Sequence, residues 1–129
     1  MTDIATLAQA QLDAYNAADL DAFIACYHPE VVVLDGDEVS ISGRESMRER
    51  YRDLFKDWQF GASVPQRLVV GPHCVDRELY WRIDPETAER SEGEILVRYT
   101  AEDGLLAKVQ FLGDLGLRSE SLRLTSTAR

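Results

Sequence analysis

The feature that most constrains this chain is a change of period near residue 60. Up to Trp58 the apolar residues recur at helical spacing, and from Phe60 onward they alternate. Ile4, Leu7, Ala8, Leu12 and Tyr15 share one face of a first helix over about Asp3 to Ala17. Asp19 supplies an N-cap for a short second helix carrying Leu20, Phe23, Ile24 and Tyr27, which Pro29 is expected to end. The stretch "VVVLDGDEVSIS" (31–42) reads as two strands around an Asp-Gly turn. Ser42 and Glu45 have capping-box spacing, which predicts a third helix starting there, buried through Met47, Tyr51, Leu54, Phe55 and Trp58. Four strands follow: "QFGASVPQRLVV", "HCVDRELYWRI", "GEILVRYTA" and "LLAKVQFL", joined at Gly71-Pro72, at 84–93 and at Asp103-Gly104. Gly61 and Pro65 predict a bulge or bend in the first of them.

Helical segments followed by a run of strands give an α+β fold: a cone-shaped, curved antiparallel sheet packed against three N-terminal helices. A bent sheet capped in this way encloses an apolar wall whose mouth can hold a ligand. The 129 residues suffice for one domain with one core, expected at residues 1–113. Residues 114–129 are polar and weakly patterned, and read either as a disordered tail or, through "SLRLT", as an added edge strand.

Charge excludes some partners. A formal net charge of −9 argues against nucleic acid, whose phosphates need a basic surface. The imbalance is local: residues 1–38 hold eight of the 23 acids and no Lys or Arg. The plain reading is an acidic face on the first helices. No run approaches the roughly 18 apolar residues of a membrane span, and the N-terminus has neither a basic start nor a long apolar block, so a cytoplasmic address is expected. Cys26 and Cys74 do not make a disulfide framework and read as reduced packing residues. His28 and His73 lack metal-binding spacing, and no Gly-rich phosphate loop occurs, so neither a metal nor another cofactor is expected. His28 reads instead as a cap on the carbonyls ending the second helix. Arg67 and Asp76 fall opposite each other across a tight Gly71-Pro72 turn and predict a cross-strand pair.

Two residues stand out as candidate catalytic groups. Asp35 follows four apolar residues. Either it belongs to the hairpin turn of a type I′ Asp-Gly pair, or it shares a face with Val33 and serves as a base at the mouth of an apolar hollow. Gln11 puts a primary amide in the middle of an apolar helix face, where it is either a satisfied core amide or a donor that polarises or orients a ligand. Arg77 interrupts the apolar alternation of Val75, Leu79, Trp81 and Ile83. It is either a pocket cation or a packed stem whose head reaches an acid. Tyr15, Tyr51, Trp58, Phe60, Val97 and Phe111 complete the set of expected ligand contacts, the aromatics among them also fitting plain core packing.

The order of helix, "YNAADLDAFIACYHPEVVV", hairpin, "SGRESMRERYRDLF" and four-stranded sheet resembles the nuclear transport factor 2-like fold over about residues 4–112. Within that fold it is most similar to the SnoaL-like and ketosteroid-isomerase-like proteins. The resemblance rests on an N-x-x-D-L-D turn (Asn16 to Asp21) and an S-G-R-E-S-M-R helix start (Ser42 to Arg48). The isomerase branch implies a base Asp after the first strand, a Tyr on the first helix and a protonated Asp on a central strand. Counted from the shared turn, these positions fall on Asp35, Gln11 and either Leu96 or Val97. The resemblance therefore implies a small, apolar or carbonyl-containing ligand and a homodimer through the sheet. The activity it implies is isomerisation, dehydration or cyclisation by a carboxylate base. The alternative is a non-catalytic ligand-binding or dimeric interaction module, because this fold hosts many activities.

Overall fold

A computed structural model describes residues 3–114. Helix α1 (Ile4–Asn16) starts where the Asp3 carboxylate accepts the Thr6 N–H, and α2 (Leu20–Ala25) starts where Asp19 accepts the Ala22 N–H. The predicted stripe of α1 is buried throughout, Gln11 included. The strands are β1 (Tyr27–Asp35), β2 (Glu38–Ser42), β3 (Gln59–Val70), β4 (His73–Ile83), β5 (Arg90–Glu102) and β6 (Leu105–Asp114), with α3 (Arg44–Asp57) between β2 and β3. The tail expected from residue 114 lies, beyond Asp114 itself, outside the described residues.

The six strands form one curved, open sheet in the order β2-β1-β6-β5-β4-β3. Every neighbouring pair is antiparallel except β1–β6, so the sheet is mixed. Asp103 and Gly104, at φ 55° and 76°, turn β5 into β6 in the left-handed conformation that such a dipeptide favours. The expected bulge in β3 falls between Ser63 and Gln66 and contains Pro65, whose missing N–H is harmless there.

Three local expectations need correction. Ser42 does not cap α3: it ends β2, paired with Val32, and Gly43 at φ 93° takes the cap position without a side-chain bond. The ladder claims the Ser42 backbone, so the helix can begin only after the chain has turned. Pro29 does not end α2, which stops at Ala25; it lies inside β1, where the register to β6 breaks between Tyr27 and Val32 and no ladder N–H is required. His28 does not cap the helix either, because its Nδ1 accepts the Glu30 N–H at 3.0 Å.

The core lies between the helices and one sheet face. From the sheet come Val31, Val33, Phe60, Cys74, Tyr80, Ile95, Val97, Tyr99, Leu106, Val109 and Phe111, and Leu7, Ala8, Leu12, Tyr15, Phe23, Met47 and Tyr51 descend from the helices.

Candidate functional site

Strand β4 carries the site because its two faces are inverted in polarity. Cys74, Asp76, Glu78, Tyr80 and Arg82 are buried beneath the helices, whereas Val75, Arg77, Leu79, Trp81 and Ile83 are only half-buried on the outer face. A strand with one apolar and one polar face ordinarily turns the apolar face inward. Here the neighbouring strands decide otherwise. Asp76, Glu78 and Tyr80 stand directly opposite Val97, Ile95 and Gly93 of β5, and the Val97 and Ile95 side chains are core.

At the β3 edge, the wholly buried Asp76 carboxylate (0% exposed) accepts two bonds from Arg67, at 2.7 and 3.0 Å. The Cys74 thiol donates to it at 3.3 Å, and Gln9 holds the far side of the guanidinium. This is the cross-strand pair that the turn predicts. Burial, followed by the adjacent carboxylate, pushes the Cys74 thiol up to about 12, so it is a neutral hydrogen-bond donor and not a nucleophile.

Gln11 descends from α1 onto the same face and is 2% exposed. Its Nε2 donates to Ala8 O and to Tyr99 Oη, both at 3.0 Å, and its Oε1 accepts from Tyr27 Oη at 3.1 Å. Beside it the predicted contacts Tyr15, Tyr51 and Phe60 meet around Phe23 and Phe55. The Tyr15 and Phe60 ring centroids are 4.5 Å apart, and those of Phe23 and Tyr51 are 5.1 Å apart. Val97 and Phe111 face each other across β5 and β6 on this side of the sheet, and Trp58 packs half-buried at the end of α3. The fold thus brings Gln11, Tyr15, Tyr51, Phe60, Val97 and Phe111 onto one side.

Asp35 and Arg77 are not in that group. Asp35 is the last residue of β1. It keeps the parity of Val31 and Val33, but its side chain is exposed, and it pairs with Glu38 across the turn. The turn centres on Gly36 and Asp37, one residue later than the Asp-Gly pair suggests, with Gly36 alone at positive φ (62°). That places Gly at the first central position, as in a type II′ hairpin rather than type I′. Arg77 has the outward parity of β4. Its Nε donates to Glu94, so its head reaches an acid and its stem borders a groove of about 600 Å³ lined by Pro65, Gln66, Leu68, Val75 and Leu96.

A model of the SnoaL-like domain matches residues 8–109 of this chain. The chain belongs to the SnoaL-like family. No curated protein sequence matches it. An uncharacterized cystatin fold protein from Novosphingobium aromaticivorans superposes on the chain with a TM-score of 0.75 at 22% identity, covering 86% of this chain and 97% of its own. The Δ5-3-ketosteroid isomerase from a Mycobacterium species gives 0.77 at 11% identity, over 86% and 92%. Rv0760c from Mycobacterium tuberculosis, in complex with estradiol-17β-hemisuccinate, gives 0.77 at 13% identity, over 89% and 96%. At these identities the likeness shows the fold.

The motifs that carried the resemblance build the helix layer of this SnoaL-like chain. Asn16 brackets Ala62 on the free edge of β3, donating to its carbonyl at 2.9 Å and accepting its N–H at 2.8 Å. Asp19 caps α2, and Asp21 meets Arg48 of α3 at 2.7 Å. Arg44 donates to Tyr27 O at 3.1 Å. None of these contacts involves the inner polar row.

Sequence reasoning missed Glu78, Tyr80 and Arg82 in the SnoaL-like core, together with the polar role of Tyr99. A usable signal was present. Cys74 reads as a packing residue, and it shares parity with Asp76, Glu78, Tyr80 and Arg82. Among the described residues, no group of three His, Cys, Asp or Glu side chains is placed to hold a metal ion. No described helix is long and apolar enough to cross a membrane.

Proposed function

We propose that this protein binds a small, largely apolar organic molecule with a polar oxygen between its helices and the inner sheet face. Glu78, Tyr80, Arg82 and Tyr99 supply polar contacts, with Gln11 holding Tyr99; Tyr15, Tyr51, Phe60, Val97 and Phe111 supply apolar ones. The observation that carries this reading is the inverted polarity of β4. Turning Asp76, Glu78 and Arg82 rather than Val75, Leu79 and Trp81 toward the core opposes the fold's own stability, and such a local choice is expected at functional sites. The isomerase and the estradiol-hemisuccinate complex among the similar structures support a steroid-sized ligand. The test is equilibrium titration with estradiol-17β-hemisuccinate and testosterone, read by tryptophan fluorescence. Saturable binding weakened about tenfold or more by Glu78→Gln is expected; no saturation with either compound removes the reading.

The same proposal includes a homodimer through the outer sheet face. Leu68 and Val70 are 68% and 69% exposed there, beside the half-buried Val75, Leu79, Trp81 and Leu96. Leu68→Glu is expected to convert a sedimenting dimer to a monomer; a monomeric wild type overturns the dimer.

A catalytic extension has one observation in its favour, the inward parity of Asp35 at the end of β1. In that reading Asp35 is the base of a cofactor-independent proton transfer to or from a carbonyl compound, and Gln11 acts on the carbonyl through its hydroxyl neighbours. Asp35→Asn should then slow turnover of a β,γ-unsaturated ketone by about 10²–10⁴-fold. Equal rates for both proteins leave binding alone.

A further inference from the structure

On the inner face, the hydroxyl proton of Tyr99 has no acceptor among the described residues. The bond from Gln11 Nε2 to Ala8 O fixes which end of the amide is nitrogen, since the opposite orientation would set an oxygen against a carbonyl oxygen. The other two bonds then follow. Tyr27 gives its proton to Gln11 Oε1, whereas Tyr99 receives a proton from Gln11 Nε2 and keeps its own. No second hydrogen bond of Tyr99 Oη is found among the described residues, although the residue is only 2% exposed. A buried donor in that state is destabilising until something accepts from it. Burial, with Tyr27 and the Asp76 carboxylate adding to it, holds this phenol well above its ordinary 10.0, so it stays protonated across physiological pH.

We infer that Gln11 is a positioning residue, and that it leaves the Tyr99 O–H directed at the ligand as a donor to an acceptor oxygen, a ketone or ester carbonyl. The inference rests on the reading of the inner face as a small-molecule site and deepens it by naming the group recognised. It also gives the two tyrosines that meet at Gln11 different tasks. Tyr27 holds the amide in place, and Tyr99 selects the ligand. An oxygen-free ligand of the same shape leaves the Tyr99 proton unmatched, so selectivity between the two is the property that Gln11 and Tyr99 create together.

The test uses the full chain and two probes, testosterone and its 3-deoxy analogue, which differ only in the ring carbonyl. Wild type is expected to prefer the ketone by about tenfold. Tyr99→Phe should bring the ratio of dissociation constants to about one. Gln11→Glu should do the same, because both hydroxyls then donate to the carboxylate and the Tyr99 proton is withdrawn from the ligand. Tyr27→Phe should keep the preference, and circular dichroism and melting curves check that each variant folds. A ketone preference that survives Tyr99→Phe overturns the assignment. So does equal affinity of wild type for both probes, which would mean that an internal water takes the proton.

A ligand-free measurement separates this inference from the functional reading. The buried hydroxyl proton should give an NMR resonance that is absent in Tyr99→Phe and moved downfield in Gln11→Glu. No movement in Gln11→Glu overturns the orientation by Gln11, whatever the steroids do. Movement together with no binding of either steroid overturns the small-molecule reading and the ligand-donor role of Tyr99, and upholds the orientation.

Discussion

Arg67 and Asp76 face each other directly across β3 and β4 in a two-point ion pair, Nε to Oδ1 at 2.7 Å and Nη2 to Oδ2 at 3.0 Å. The acid is fully buried, while the guanidinium is partly exposed and held by Gln9. Removing only the base strands a desolvated charge, so Arg67→Met is expected to cost about 3–5 kcal/mol. The double variant Arg67→Met/Asp76→Leu should be more stable than Arg67→Met alone, because the charge is gone. Urea denaturation of the two single variants and the double variant measures both effects.

Asn16 acts on the free edge of β3 as a substitute for a neighbouring strand. Asn16→Ala leaves both backbone groups of Ala62 without their partner, and a loss of about 1–3 kcal/mol is expected. Amide exchange at Ala62 should quicken well beyond that of residues in β5, which is paired on both sides.

Gly93 is the floor on which Tyr80 rests. A Cβ at that position would lie 2.4 Å from both Cζ and Oη of the Tyr80 ring, so Gly93→Ala must move the ring. Overpacking of this kind costs about 1–3 kcal/mol. Adding Tyr80→Leu to Gly93→Ala should recover part of the loss in a thermal melt. If Tyr80 also contacts the ligand, Gly93→Ala should weaken steroid binding as well.

Alkaline pH should unfold the protein early. The folded state raises the Cys74 thiol from an ordinary 9.0 to about 12 and the Tyr99 phenol well above 10.0, chiefly by burial. Both groups therefore hold protons in the folded chain at pH values where the unfolded chain has released them. With fewer protons bound in the unfolded state, stability falls as pH rises, beginning near pH 9 and continuing toward 12. Melting temperatures from pH 7 to 11 should show this decline, and Cys74→Ser should reduce its slope. Below pH 8 these two groups should contribute no pH dependence.

The elements were legible in the sequence because each announces itself locally. The period change after Trp58, the Asp19 cap, the bulge at Pro65 and the Arg67–Asp76 pair all depend on neighbours within a hairpin or a helix turn. The site was less legible because it depends on which side of β4 the helices cover. Alternation separates Val75, Leu79 and Trp81 from Asp76, Glu78 and Arg82 but does not say which set lies inside. Val97 and Ile95, distant in sequence, settle it by standing opposite Asp76 and Glu78. For the same reason Gln11 could be recognised as anomalous, whereas its partners Tyr27 and Tyr99 could not be named, since they come from opposite ends of the chain. The start of α3 was misjudged at Ser42 because a cap motif competed with a strand ladder, and the ladder prevailed.

The parallel β1–β6 pair has a consequence for how the chain acquires its shape. The β1–β2 hairpin joins the rest of the sheet only through β6, the last strand described. During synthesis, Val31 and Val33 would wait for residues 105–114 to leave the ribosome before the sheet could cover them. Assembly should therefore be late and all-or-none, with a slow folding rate for a domain of this size. A chain cut before Leu105 should expose sticky, half-finished strands and rely on chaperones.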